Sequence, residues 1–144
     1  MKKQILLVLL LLFALMACEQ VPPEDHSDEV DILVENQLDL RIDSFQFHFD
    51  TSYGEDSILV TMLEPGEKSE SWYFEDLKYF YREQSDFFLI KKGYFIIDSR
   101  IYYHSNCFCE PDLQDDILTE GKVVIKVNGI DSIRGNVEYN IIKE

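Results

Sequence analysis

Residues 122–142 read KVVIKVNGIDSIRGNVEYNII and contain two runs in which apolar and polar side chains alternate. Strict alternation over such lengths is typical of β-strands that are buried on one face. Asn128-Gly129 lies between the runs, and this dipeptide is a strong signal for a two-residue hairpin turn. The stretch therefore predicts a β-hairpin whose inward-facing residues are Val123, Ile125, Val127, Val137, Tyr139 and Ile141.

The same alternation occurs upstream, in VDILVEN (30–36) and FQFHF (45–49). Leu40 and Ile42, just before the second run, are in the opposite phase. A change of phase without a turn signal is explained by a β-bulge or a strand break, which we expect near Asp43-Ser44. The predicted inward-facing residues of the two runs are Val30, Ile32, Val34, Phe45, Phe47 and Phe49.

About eight or nine short β-runs follow one another at roughly ten-residue spacing from residue 30 to residue 144. Pro65-Gly66 predicts a turn, and Lys92-Gly93 predicts a tight hairpin connection. Residues 75–84 could form a helix or a strand, and their adjacent aromatic residues favour a strand. The sequence therefore predicts one all-β domain over residues 30–144: an antiparallel, immunoglobulin-like β-sandwich, with a small β-barrel as the alternative.

The N-terminus has the features of an export signal. Lys2 and Lys3 precede an apolar run from Ile5 to Ala17, which is shorter than the about 20 residues that span a bilayer. The junction Leu15-Met16-Ala17-Cys18 resembles the lipobox of bacterial lipoproteins. This resemblance implies that residues 1–17 are removed and that Cys18 carries the lipid that anchors the protein.

Residues 18–29 predict an acidic, flexible tether. From Glu19 to Glu29 the chain contains Pro22-Pro23 and no lysine or arginine, a composition that does not favour a packed core. Acidic residues after the lipidated cysteine resemble the export tag of surface-exposed lipoproteins of the Bacteroidetes group. The resemblance implies an outer-membrane location and favours display on the cell surface, with the periplasm-facing leaflet as the alternative. No family resemblance covers the folded domain.

The formal net charge of −15 narrows the range of partners. Such a chain repels phosphate backbones, and the sequence contains no basic patch. We therefore expect no nucleic-acid partner. Net charge says nothing further about the partner's identity.

The stretch HSNCFCEPD, residues 104–112, is the one most suggestive of chemistry. With Cys18 lipidated, Cys107 and Cys109 remain in an oxidising compartment, which favours a disulfide. In an extended strand, the Cβ atoms of residues i and i+2 lie too far apart for a disulfide. A Cys107–Cys109 bridge therefore requires a tight turn centred on Phe108. Free or intermolecular cysteines are a second interpretation, and a copper or zinc site formed by His104, Cys107 and Cys109 is a third.

Two further groups of residues could bind a ligand. Asp112, Asp115, Asp116 and Glu120 could hold calcium, although a solvated acidic loop explains them better. Aromatic residues are concentrated between Trp72 and Tyr103, and exposed rings there could stack on a sugar, although core packing is the simpler explanation. Alternation allows only one ring of an adjacent pair to face outward. The aromatic candidates are Trp72, Tyr102 and Tyr103, followed by Tyr79, Tyr81 and Tyr94.

No catalytic motif is recognisable in the sequence, and no cofactor is implied. The favoured hypothesis is a non-catalytic binding or accessory lipoprotein that contacts an envelope protein or an extracellular glycan. Envelope metal binding through the His/Cys-x-Cys residues is the first alternative. A hydrolase that uses two carboxylates is the second, and it would require a carboxyl group with a raised pKa.

Overall fold

A computed structural model describes residues 25–81, 87–88, 92–105 and 114–144. Among these residues, no helix is long and apolar enough to cross a membrane. The described chain forms eleven strands, which are β1 (Val30–Asn36), β2 (Ile42–Thr51), β3 (Gly54–Leu63), β4 (Trp72–Phe74), β5 (Leu77–Tyr81), β6 (Phe87–Phe88), β7 (Lys92–Ile97), β8 (Arg100–Ser105), β9 (Gln114–Leu118), β10 (Gly121–Asp131) and β11 (Asn136–Lys143).

The strands form two sheets. The first has the order β11-β10-β1-β4, and its β1–β10 pair is parallel. In the second sheet β2 is central: β3 pairs with one edge, and β7 and then β5 pair with the other. Strand β8 follows β7, while β6 and β9 flank β5. The two sheets confirm the predicted antiparallel β-sandwich, and they are not closed into the alternative barrel. The immunoglobulin-like subclass stays a prediction.

The core lies between the two sheets and follows the alternation in the sequence. Phe45, Phe47 and Phe49 of β2 are fully buried, as are Val30, Ile32 and Val34 of β1. The rings of Phe45 and Phe95 stack with their centroids 4.4 Å apart. Fully burying such side chains stabilises the fold by about 1.5–3 kcal/mol each. The inward-facing residues predicted for β10 are also buried, namely Val123, Ile125 and Val127.

The change of phase in β2 is produced by a bulge, the first of the two predicted alternatives, and not by a strand break. Ile42 is buried together with the three phenylalanines, although an even number of residues lies between it and each of them, which in an unbroken strand would place it on the opposite face. The pairing of β2 with β7 shifts register between Ile42 and Ser44, so Asp43 is the extra residue. Arg41 contacts the Asp43 carboxylate at 2.6 Å. This bulge lets both halves of the strand face the same core.

The predicted turn at Asn128-Gly129 is wrong, although the hairpin itself is present. Strand β10 continues through both residues, and the register shift between Val127 and Gly129 makes Asn128 the extra residue of a bulge. The chain reverses after Asp131, whose carboxylate accepts the backbone amides of Ile133 and Arg134 at 3.0 Å. Gly135, with a φ of +71°, completes the turn. The Asp131 carboxylate and the left-handed conformation of Gly135 stabilise a reversal at residues 131–135, and the chain does not turn at Asn128-Gly129.

The predicted hairpin connection at Lys92-Gly93 is also wrong, because both residues lie inside β7. Gly93 pairs with Phe47 of β2, and a Cβ atom on Gly93 would lie only 2.7 Å from the Gln46 carbonyl oxygen. The glycine therefore allows close approach of two strands rather than a reversal of the chain.

Two other local predictions are confirmed. Pro65-Gly66 forms the turn between β3 and β4, where Gly66 has a φ of +80° and the Glu67 amide bonds the Glu64 carbonyl at 3.1 Å. In the ambiguous segment 75–84, residues Leu77–Tyr81 form strand β5.

Candidate ligand-binding surfaces

The three aromatic residues predicted to bind a ligand are not brought together. Trp72 lies in the first sheet, where it is half-buried and packs against the core. Tyr102 and Tyr103 lie in the second sheet, and they face opposite sides of it. Tyr102 is 7% exposed and belongs to the core, whereas Tyr103 is 66% exposed. The predicted inward-outward division of this pair is confirmed, and only Tyr103 is well placed to bind a ligand.

Tyr103 belongs to a larger surface on the outer side of the second sheet. Register places Leu59, Gln46, Tyr94 and Tyr103 in one row across four strands. Thr61, Ser44, Ile96 and Ile101 form the next row. None of these side chains carries a charge. We call this surface the uncharged face, and it consists of Ser44, Gln46, Leu59, Thr61, Tyr94, Ile96, Ile101 and Tyr103.

The uncharged face results from the same alternation that builds the core. Phe45, Phe95 and Tyr102 point inward, so their sequence neighbours point outward. Ile101 is 57% exposed and Leu59 is 51% exposed. Exposed apolar side chains that lie singly on a surface need no explanation, but a contiguous patch is typical of an interaction site.

Charged residues border the uncharged face. His48 and Lys92 lie in the row next to Gln46 and Tyr94, and the Glu55 carboxylate contacts His48 Nδ1 at 3.0 Å and Lys92 Nζ at 2.9 Å. These three side chains partly neutralise one another. The two rows of the uncharged face themselves contain no ionic side chain. An apolar centre with a polar rim is the usual anatomy of a binding surface.

A second surface is a cleft of about 590 Å³ beside the β2–β3 turn, which we call the acidic cleft. The Tyr53 ring is 83% exposed at this turn. Four carboxylates contribute to the lining. The lining residues are Glu29, Thr51, Tyr53, Asp56, Tyr73, Phe74, Glu75 and Asp76.

Hydrogen bonds hold the walls of the acidic cleft together. The Tyr53 hydroxyl bonds the Glu75 carboxylate, and this bond together with the negative charge of Glu75 raises the pKa of the phenol. Asp76, which is buried, accepts the Ser52 amide at 2.7 Å. The His26 imidazole stacks on Tyr73, with ring centroids 3.8 Å apart and planes 9° apart. The turn is thereby fixed to the start of β5.

The proposed metal ligands and the disulfide fall mostly outside the described residues, since Cys107 and Cys109 lie in segment 106–113 and Cys18 in segment 1–24. His104 is described, and its Nε2 atom contacts the Tyr139 hydroxyl. The two rings meet edge to face at 4.8 Å. Burial lowers the pKa of the His104 imidazole. A metal bound by His104 would therefore have to use Nδ1 or displace the tyrosine.

Two of the predicted calcium ligands, Asp115 and Asp116, form other contacts. Asp112 and the loop before β9 are outside the described residues, but Asp115 and Asp116 lie in β9 itself. Asp115 contacts Lys78 Nζ at 2.7 Å, which lowers the pKa of its carboxyl group. Asp116 accepts a hydrogen bond of 3.2 Å from Tyr79. No group of three or more metal-binding side chains converges anywhere in the described part of the chain.

The hydrolase hypothesis receives no support from the carboxyl groups that the structure describes. Where their pKa departs from the ordinary value, it is lowered, as in Glu35, Asp43 and Asp115. A general acid needs the opposite shift. The largest cause of each lowered pKa is a side-chain hydrogen bond that favours the ionised carboxylate. The partners are Gln37 for Glu35, Arg41 for Asp43 and Lys78 for Asp115.

No family model, curated protein or solved structure matches this chain. The two surfaces therefore rest on their geometry alone. Sequence reasoning identified Tyr103 and named Tyr94, but it missed Leu59, Ile96 and Ile101, because they adjoin the tyrosines only through cross-strand register. Sequence reasoning also missed Tyr53. Its position in the two-residue turn between β2 and β3 is the signal that could have identified it as exposed.

Proposed function

We propose that the protein is a non-catalytic, lipid-anchored envelope protein that binds a neutral extracellular glycan on the uncharged face. Its place is the outer membrane, with display on the cell surface. The lipobox ending at Cys18 and the acidic tether of residues 18–29 support the location. The observation that carries the binding role is the contiguous face around Tyr94 and Tyr103.

The chemistry of the face suits a sugar chain. The apolar side of a sugar ring stacks on an aromatic side chain, and Tyr94 and Tyr103 are direct cross-strand neighbours. Gln46, Ser44 and Thr61 supply amide and hydroxyl groups that hydrogen-bond sugar hydroxyls without introducing charge. Because the face extends over four strands of one sheet, it suits a chain of several sugar units.

The charge distribution favours a neutral glycan over an anionic one. The chain carries 28 acidic residues against 13 basic ones, and its long-range field repels polyanions. The two rows of the uncharged face also contain no cationic side chain that could pair with a uronic acid or a sulfate group. A neutral polysaccharide avoids both penalties.

Binding to polysaccharides tests this proposal. The chain from Glu19 onward would be run through native gels that contain starch, xylan, β-glucan or mannan, and through gels that contain alginate or polygalacturonate. We expect retardation by at least one neutral polysaccharide. Replacing Tyr103 with alanine should weaken that affinity at least tenfold, since a buried ring contributes about 1.5–3 kcal/mol and about 1.4 kcal/mol is a factor of ten.

The matched control is Tyr53→Ala. This residue is at least as exposed as Tyr103 but belongs to the acidic cleft, so its removal should leave affinity unchanged. Loss of binding in Tyr53→Ala and not in Tyr103→Ala would move the site to the cleft. Retardation by the anionic polysaccharides alone would refute the proposal.

A further inference from the structure

Strand β3 is an edge strand. Among the described residues it pairs only with β2, along its whole length from Gly54 to Leu63. Such an edge presents backbone amides and carbonyls that can pair with another strand. The centre of β3, Ser57–Thr61, has the sequence SILVT, with no charge, proline or glycine. β-Branched and aliphatic residues of this kind pair readily.

Other edges of the same sheet are less available. The Tyr103 amide of β8 already bonds the Gly135 carbonyl at 3.3 Å. Strand β9 carries Asp115 and Asp116 at its centre, and charges on an edge discourage pairing. Two residues of strand β6 are described. Of the edges described, β3 therefore offers the longest uncharged run.

One hydrogen bond fixes which backbone groups face the open side of β3. The Ser57 amide bonds the side chain of Asp56 at 2.7 Å. In an antiparallel pair, alternate residues direct their amide and carbonyl groups toward the partner strand. Because Ser57 does not direct its amide at β2, the outward groups belong to Ser57, Leu59 and Thr61. On pairing with another strand, the Ser57 amide exchanges its bond to the flexible Asp56 side chain for one to the added backbone, whereas the Tyr103 amide of β8 is held by backbone.

These outward groups are self-complementary. Consider a second β3 that runs antiparallel to the first, with the two Leu59 residues opposite each other. Ser57 of one copy then lies opposite Thr61 of the other, so every outward-directed backbone group lies opposite another outward-directed group. Ile58 then faces Val60 in the inward row. In the same register Asp56 lies opposite Met62 and Glu55 opposite Leu63, so no two carboxylates face each other.

We propose that two copies of the chain associate edge to edge through β3, in an antiparallel register centred on Leu59. The two second sheets then form one continuous sheet, and the two uncharged faces join into a single platform with Leu59 at its middle. The occupant is a second copy because the charge pattern fits itself in this register. Repulsion between the acidic subunits is screened beyond a Debye length of about 8 Å at physiological ionic strength. The association does not depend on glycan binding.

Cysteine crosslinking of the full-length chain in its own cell envelope tests the register. The background variant carries Cys107→Ser and Cys109→Ser. Residues that pair across an antiparallel ladder have Cα atoms about 5.5 Å apart, within the range of about 4.4–6.8 Å that a disulfide needs. Leu59→Cys should therefore form a disulfide-linked dimer at a yield at least fivefold above the background chain.

Two matched controls define the outcome. Ile117 of β9 has nearly the same exposure as Leu59, 49% against 51%, and Ile117→Cys should stay at background. Ser57→Cys alone should also stay at background, since its copy lies four residues along the strand, about 13 Å away. Coexpression of Ser57→Cys with Thr61→Cys should restore the dimer.

Background yield for Leu59→Cys, or equal yields for Leu59→Cys and Ile117→Cys, would overturn the proposal. A dimer from Ser57→Cys alone would contradict the register. The crosslinking yield is compared between cells that carry an intact Tyr103 and cells with Tyr103→Ala, which should lower glycan binding but not the yield, so failure of the dimer and failure of glycan binding are distinguishable.

Discussion

At the scale of single residues, Asn36 is the polar side chain that the core depends on most. It is fully buried at the end of β1. Its amide group donates to the carbonyls of Leu40 and Leu63, each at 2.9 Å, and its side-chain oxygen accepts the Leu38 amide at 3.0 Å. The side chain thus satisfies three backbone groups in the link from β1 to β2 and at the end of β3.

Replacing Asn36 with alanine should lower the free energy of unfolding by about 3 kcal/mol, because three backbone groups lose their partner and each bond contributes about 1 kcal/mol. Urea denaturation followed by the fluorescence of Trp72, the single tryptophan, measures this change. Gln37→Ala is the control, since that side chain is exposed and bonds Glu35. Equal stability of the two variants would contradict the assignment.

His104 should make stability depend on pH. Burial lowers the pKa of its imidazole below the ordinary value of 6.5, so the unfolded chain takes up this proton more readily than the folded one. Folding stability from this group is present above the ordinary pKa and is lost as pH falls toward the lowered pKa. Protonation also removes the ability of Nε2 to accept a hydrogen bond from Tyr139.

The expected result is a difference between two curves. Between pH 7.5 and pH 5.5, the wild-type chain should lose stability relative to His104→Gln, as measured by urea midpoints at each pH. Curves that stay parallel over this range would show that His104 titrates alike in the folded and unfolded chains.

At the scale of elements, strand β2 organises the second sheet, because it pairs with β3 on one edge and with β7 and β5 on the other. Its phenylalanines form a continuous ring contact, with Phe45 and Phe47 centroids 4.9 Å apart and Phe47 and Phe49 centroids 5.7 Å apart. Gly93 lies against this row, and its lack of a side chain lets β7 approach.

Gly93→Ala should lower the free energy of unfolding by about 1–3 kcal/mol, the usual cost of overpacking a filled site. The added methyl group would lie 2.7 Å from the Gln46 carbonyl oxygen and 3.2 Å from the Phe47 Cβ atom. Denaturant midpoints measure the effect. Ile101→Ala, at an exposed position of neighbouring β8, should change stability by no more than about 0.5 kcal/mol. A neutral Gly93→Ala would mean that β7 can shift away from β2.

At the scale of the whole molecule, the sandwich has one face that is chemically unlike the rest. The chain has a formal charge of −15, yet eight outward positions on four strands carry no charge. Acidic residues elsewhere favour solubility and separation of the molecules. The proposed glycan binding takes place on the uncharged face. The proposed pairing of β3 strands joins the uncharged faces of two copies.

The proposed anchoring belongs to the same scale. Cys18→Ser should remove the acylation site and move the protein from the membrane fraction to the soluble fraction of the envelope, because the lipid supplies the membrane affinity. Immunoblots of fractionated cells measure this. Cys107→Ser should remain with the membranes. A Cys18→Ser chain that also sediments with membranes would contradict lipid anchoring.

Sequence alternation predicted the class of fold and the core positions of β1, β2 and β10. Alternation with a period of two identified Val30, Ile32, Val34 and the Phe45–Phe49 row, because a strand with one buried face must place apolar residues at every second position. The change of phase before Phe45 likewise predicted a bulge or a strand break near Asp43-Ser44, and the strand pairing shows a bulge at Asp43.

The positions of the chain reversals and the neighbours of the outward-facing residues depend on tertiary contacts. Asn128-Gly129 and Lys92-Gly93 have the local composition of turns, but pairing with β11 and β2 keeps both inside strands. Tyr94 and Tyr103 meet Leu59 through strand order, which depends on contacts between residues far apart in the chain. Local patterns report which side of a strand is buried, whereas register and strand order are set by the packing of the whole sandwich.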